Sequence, residues 1–227
     1  MAQWQTYSLE DFLLFQPRVY WRLFELNNEA LWPLHIPALL LGAGIIALAL
    51  RPAPWSGRAI AIALGVAWIW VAWSFLWSRY ASINWAIAYV APVFALQGLA
   101  LVSWPTAHWF AACAGTNGKF PGFIGLALAL YALFLHPLTA VLAGRPIQAA
   151  EVFGIAPDPT AIATLGIVSM MHRRNAWPLL VIPMLWCMAS ALTLYVMAAP
   201  EAFIPLAAVA VAIAGRIGEG KWWVRLG

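Results

Sequence analysis

The sequence predicts an all-α fold, a polytopic transmembrane helix bundle of about seven spans, on three observations. Hydrophobic residues make up 64% of the chain and charged residues 9%, a balance that belongs to a bilayer rather than to water. The apolar residues gather in about seven stretches joined by short polar connections. When those connections are assigned to alternate faces, the charges separate. One face collects Arg51, Arg58, Lys119, Arg173, Arg174, Arg216, Lys221 and Arg225, with Glu219 as its one acid. The other holds Arg18, Arg22, Arg79 and Arg145 with Glu10, Asp11, Glu25, Glu29, Glu151, Asp158 and Glu201. Loop Lys and Arg accumulate on the cytoplasmic side, so the N-terminus is expected in the periplasm and the C-terminus in the cytoplasm.

Taken in order, residues 1–33 read as outer interfacial amphipathic helices rather than a span. Ser8-Leu-Glu-Asp11 has capping-box spacing. Pro17 then opens a second helix, with Tyr20, Leu23 and Phe24 in the interface and Arg18, Arg22, Glu25 and Glu29 toward water. Trp32-Pro-Leu-His-Ile-Pro37 bends the chain into a bundle covering 34–215, whose first span is 34–50. The second span, 59–77, carries Trp70, Trp73 and Trp77 at helical spacing, with Trp68 on another face. The turn 78–84 leads to the third, 85–103, and Arg79 there is expected to pair with Glu25 or Glu29. The connection 104–121 contains Pro105 to Cys113, a candidate helix lying flat on the inner surface. The fourth span is 122–142, the sixth 177–198, the seventh 201–215, and 216–227 forms a short basic cytoplasmic tail.

The fifth stretch is short. Pro159 to Met171 is 13 residues, reaching ~20 Å at ~1.5 Å each, against a hydrocarbon core of ~30 Å. Either this helix begins below the outer surface, or it does not cross and the spans number six. With six, Lys and Arg divide nine to three and both termini are expected inside. The seven-span scheme also segregates the acids and is the one adopted, although acids weigh little in topology.

The net charge of +4 sits at span ends and forms no interleaved patch, so a nucleic-acid partner is not expected. The partners expected are the lipid bilayer and, in one reading, other membrane protein subunits. Many of the 15 Trp fall at span ends, where indoles favour the headgroup zone. Cys113 and Cys187 lie at different depths, so no disulfide is expected. The N-terminus lacks the order of a signal peptide and no cleavage is expected. A bacterial inner membrane is the expected home.

Three stretches carry a family resemblance: the opening from Tyr7 to Glu25, the turn Arg79-Tyr-Ala-Ser-Ile-Asn-Trp85, and His136-Pro137 through Glu151-Val-Phe-Gly-Ile-Ala-Pro-Asp-Pro-Thr160. Together the chain resembles an uncharacterised family of bacterial multi-spanning proteins, number 6064 in the domain-of-unknown-function series. The resemblance implies a single-domain inner membrane protein and brings no mechanism. A retinal protein would need a Lys in the last span, and 201–215 contains none. No P-loop, Gly-x-Ser-x-Gly, His-Glu-x-x-His or Cys-x-x-Cys occurs, so an enzyme is not favoured.

The chemistry-bearing segment is Arg145 to Thr160. Asp158 as N-cap with Pro159 at the first helical position makes a well-formed helix start. If that helix begins inside the membrane, the preceding segment must dip in and line a cavity, which is how transporters with broken helices build binding sites. An ordinary outer loop with a capped, tilted helix fits the same residues. His35 and His136 both fall in the outer part of their spans and, with Glu25, Glu29, Glu151 or Asp158, would suit a divalent metal. Facing histidines could also hold a haem, but each flanks a proline and lacks a second ligand one turn away. Structural imidazoles are the simpler reading, and no cofactor is expected. Met170-Met171-His172 is followed by Arg173 and Arg174, which repel a metal. The Trp70, Trp73, Trp77 stripe reads as lipid-facing or packing aromatics ahead of a pigment, quinone or sterol site.

Two functions stay open. One is permeation or transport of a small solute or ion through an outer-half site, with Asp158, Glu151, His136, Thr160, His35 and, as charge partner, Arg145. The other is a non-catalytic accessory subunit of a larger membrane complex, favoured by the few polar groups within spans, chiefly Gln97, Ser74, Ser190 and Thr193.

Overall fold

The structure, a computed structural model, describes residues 14–51, 53–104, 120–170 and 176–223, and for residues 120, 121 and 217–223 it describes the backbone. The Ser8–Asp11 box, the Pro105 to Cys113 stretch, Lys119, Met171 to Arg174, and the side chains of the basic tail lie outside that description. Every regular element among the described residues is helical.

Helix α1, Pro17–Leu31, starts with its proline in the first turn as the sequence predicts. It meets α2, His35–Leu50, at a 94° bend. Tyr20, Leu23 and Phe24 face protein rather than lipid headgroups. They are buried in the bundle, Phe24 against Phe75 at 4.5 Å between centroids and Tyr20 edge-on to Tyr80 at 5.4 Å. Protein aromatics bury this face more completely than lipid headgroups would, and edge-to-face geometry adds to the burial. On the outward face Arg22 pairs with Glu25 and lies 3.8 Å from Glu29, so those acids have a partner on their own helix and not Arg79. The Glu25 hydrogen bond holds the Arg22 guanidinium above its ordinary pKa.

Helix α3, Ser56–Val71, runs on through a π-turn, Ala72–Trp77, and a 3-10 turn at Tyr80–Ser82. Helix α4 is Ile87–Ser103, with Pro92 inside it. Helix α5, Phe120–Leu130, continues through a π-turn, Tyr131–Leu135, and a 3-10 turn, His136–Leu138, into α6, Thr139–Leu142. The widened turn sits just before Pro137, whose ring would collide with a carbonyl in a regular α-helix. Helices α7 (Pro157–Ser169), α8 (Pro178–Val196) and α9 (Phe203–Trp223) complete the chain.

Among the described residues, three stretches are long and apolar enough to cross a membrane: Ser56–Ser82, Gly122–Leu142 and Pro178–Val196. The bent α1–α2 pair makes a fourth if it counts as one broken span, while α4 and the Phe203–Arg216 part of α9 are apolar but shorter. The described residues are thus all-helical, with three candidate spans.

The short fifth stretch occupies the centre. Every residue from 149 to 170 is buried, with α7 packed among α3, α5, α8 and α9. Two glycine pairs set the spacing. A Cβ on Gly166 would lie 2.6 Å from the Gly125 carbonyl oxygen, and one on Gly98 would lie 2.6 Å from that of Gly65. The α5–α7 and α3–α4 backbones touch there, as small residues permit between membrane helices. Because Gly125 also meets Met170, α5 and α7 are antiparallel: α7 ends near the start of α5 and begins near the end of α5.

Trp68 is fully buried and donates from Nε1 to Thr164 Oγ1 at 2.8 Å, while Thr164 donates to the Thr160 carbonyl at 2.8 Å. Trp70, Trp73 and Trp77 point outward, Trp73 at 63% exposure. Trp68→Ala is expected to cost about 3–5 kcal/mol and Trp73→Ala less than about 1 kcal/mol. Thermal melts of the two variants in one detergent check this, and equal shifts would contradict the packing.

Candidate functional site

The site is built where α5 ends and α7 begins. From His136 to Leu142 is six residues, ~9 Å of helical rise. The chain therefore climbs past His136 to Leu142 and returns through 143–156 to start α7 beside it. The returning backbone is kept satisfied. Asn28 Nδ2 donates to the carbonyls of Gln148 and Ala150 at 2.7 and 2.8 Å, and the Gly154 N–H donates to Thr160 Oγ1 at 2.9 Å. Ile155 and Ala156 both donate to the Val152 carbonyl. Gly154 has φ +73°, which a side chain would resist.

Helix α7 starts two residues earlier than expected. Ala156 is its N-cap, and Asp158 lies in the first turn instead of capping it. Pro157 and Pro159 both tolerate first-turn positions because the N–H groups they lack would go unpaired there. Freed from capping, the Asp158 carboxylate turns to α8: Oδ1 accepts from Trp186 Nε1 at 2.7 Å and Oδ2 from Ser190 Oγ at 2.5 Å. It also sits at the positive end of the α7 dipole. At the other end, Arg216, 6% exposed, donates to the Val168 carbonyl at 3.2 Å. Both ends of the buried helix thus meet a charge of the complementary sign.

His136, Glu151 and Asp158 come together. One donor atom from each lies within 4.8 Å of the others, and the residues are 4%, 5% and 2% exposed. His136 Nε2 and Glu151 Oε2 are 3.9 Å apart, beyond hydrogen-bond range. Among the described residues, neither ring nitrogen of His136, nor Glu151 Oε2, has a hydrogen-bond partner. Tyr131 stands edge-on to the imidazole at 5.8 Å. Leaving such atoms unpaired in a core is costly.

The other expected members stand apart. His35 Nε2 is 3.0 Å from Asn28 Oδ1, so His35 and His136 do not form a pair. His35 steadies the amide that holds the returning strand. Thr160 donates to the Ala156 carbonyl at 2.7 Å and is a structural part of the α7 start. Arg145 forms an ion pair with Glu201 at 2.5 Å and lies 3.3 Å over the Trp21 ring, so its charge partner is Glu201 and not the cluster. This clamp joins the 143–146 loop, α1 and the α8–α9 turn. Arg145→Ala would strand a carboxylate that is only 10% exposed, at a cost of about 3 kcal/mol. A melt of Arg145→Ala beside Arg145→Ala/Glu201→Gln checks it: the double variant is expected to recover part of the loss.

Trp186 and Ser190 also line a cavity of about 440 Å³ between α4 and α8, shared with Tyr20, Tyr80, Phe94 and Thr193. The sequence reading missed Trp186 and Glu201. Their signal was faint: Trp186 and the noted Ser190 are one turn apart on α8, a shared polar-tipped face.

A family of unknown function, numbered 6064 in its series, matches residues 17–219. No curated protein and no solved structure matches.

Proposed function

The chain belongs to the DUF6064 family, a family of unknown function, and from that premise we propose that it is a multi-spanning inner membrane protein passing a small cation. The site is the His136–Glu151–Asp158 cluster. One observation carries this: two acids and an imidazole, all buried, gather at the start of a helix that is itself wholly buried, and among the described residues neither ring nitrogen of His136 nor Glu151 Oε2 has a hydrogen-bond partner. Ionisable groups inside a membrane domain are expensive and mark ion pathways. A helix that starts within the bundle after a dipping strand is a transporter device.

In this reading α2, α3, α4, α5–α6, α7, α8 and α9 are seven crossings, with α7 starting below the outer surface. The 94° bend between α1 and α2 lays α1 along the periplasmic face, and the C-terminus is cytoplasmic. The α4–α8 cavity is the outer approach, since Trp186 and Ser190 belong both to its wall and to Asp158.

The accessory-subunit reading draws support from that cavity's mostly apolar lining and from outward Trp73, Trp77 and Trp85. A mild-detergent pull-down together with reconstitution decides. A chain recovered alone that gives proteoliposomes a cation leak above protein-free liposomes supports passage. A constant set of partner polypeptides, with no leak from the isolated chain, supports the accessory role. A tag at Gly227 is expected to resist labelling from outside intact cells, and outside labelling would overturn the topology.

A further inference from the structure

We infer that His136, Glu151 and Asp158 form a binding site for one divalent transition-metal ion of the Mn2+–Zn2+ series. The inference deepens the proposed passage site and rests on its location.

Geometry comes first. The three donor atoms lie within 4.8 Å of one another. Bonds of ~2.0–2.2 Å hold two ligand atoms at most about 4.4 Å apart, so closing on an ion takes a few tenths of an ångström at the widest edge. The 3.9 Å between His136 Nε2 and Glu151 Oε2 is too long for a hydrogen bond but within the reach of two atoms sharing one ion. Both atoms, like His136 Nδ1, have no hydrogen-bond partner among the described residues, on side chains about 95% buried.

Charge and donor type narrow the ion. Two carboxylates with a neutral imidazole offset a divalent charge, which removes the cost of burying like charges together. One nitrogen with two oxygens suits the borderline Mn2+–Zn2+ series. It gives neither the thiolates that Cu(I) favours nor the six to eight oxygens of a Ca2+ site. Asp158 has the support expected of a ligand: Trp186 and Ser190 each hold one of its oxygens and leave each a further lone pair. Three protein donors also leave a coordination position for water or an exchanging ligand, as passage requires.

The test is titration of the purified full-length protein with CoCl2, read by its visible ligand-field absorption, followed by ZnCl2 displacement. The wild type is expected to bind one Co2+ per chain that Glu151→Gln loses, affinity falling by at least about 100-fold. That lies at or above the top of the 10–100-fold range typical of losing an outer partner. His136→Gln serves if Glu151→Gln does not fold. Because His108 and His172 could take up metal elsewhere, the difference between wild type and variant is the reading. No stoichiometric Co2+ binding by the wild type, or equal binding by a folded variant, overturns the inference. Proton leak lost in Asp158→Asn without any Co2+ binding would overturn the metal and keep the passage site. Co2+ binding without any cation leak would do the reverse.

Discussion

Asp158→Asn is expected to stop cation passage while leaving the protein folded. Asparagine matches aspartate in shape. Its carbonyl oxygen can still accept from Trp186 Nε1 at the place of Oδ1, now 2.7 Å away. Its amide can donate to Ser190, whose hydroxyl turns from donor to acceptor. The hydrogen bonds survive with one reversed, and the charge is gone. Removing a buried charge also removes its desolvation cost, so the melting midpoint should stay within a few degrees of wild type. A cation in transit loses a charge partner in a site shut from water, worth about 3 kcal/mol or more, which is roughly 100-fold in rate. His136→Ala should also stop passage with expression intact. Folded variants that leak cations like the wild type would remove the cluster from the pathway. Loss of expression in both would mark the residues as structural.

The second large effect concerns packing. Gly166→Leu is expected to prevent α5 and α7 from docking. A Cβ at that position lies 2.6 Å from the Gly125 carbonyl oxygen and 2.7 Å from the Ala129 nitrogen. Both are backbone atoms, which cannot rotate away as a side chain would. The two helices must separate, and the cost should reach about 3 kcal/mol or more. Since α7 is buried along its whole length, separation exposes the middle of the bundle. The variant should appear aggregated or absent in size-exclusion profiles. Gly44→Ala is the control. Nothing lies within 4 Å of a Cβ there, and Ala favours a helix interior by ~0.5–1 kcal/mol. A monodisperse Gly166→Leu with a wild-type melt would contradict the close approach.

How far the sequence could be read follows from which forces are local. Apolar runs bounded by proline, glycine and charge locate helices, and α2, α4, α5–α6 and α8 fall where those runs predict. The 13-residue length of the fifth stretch left open whether its helix begins below the outer surface or does not cross, and α7 also has 13 residues. Its start was misplaced because Asp158-Pro159 satisfies the N-cap pattern locally, while Trp186 and Ser190, 28 and 32 residues away, claim the carboxylate. Sequence gives the depth of a residue in a span but not the direction it faces. That is why His136, Glu151 and Asp158 could be nominated and still be grouped with His35, which is taken by Asn28. The same gap hid the Arg145–Glu201 pair, a contact between two turns far apart in the chain. The inward face of α1 was legible as amphipathic, but an apolar stripe does not tell lipid from protein, and Phe75 and Tyr80 supply the protein.

The central claim is that cations reach the buried cluster from the outside through the α4–α8 cavity. Ala189 lines that cavity, and a cysteine placed there reports on it directly. In a chain carrying Cys113→Ser, Cys187→Ala and Ala189→Cys, a membrane-impermeant thiol reagent added outside is expected to label the protein and stop the cation leak. Labelling from outside with the leak unchanged, or labelling only from the cytoplasmic side, would contradict it.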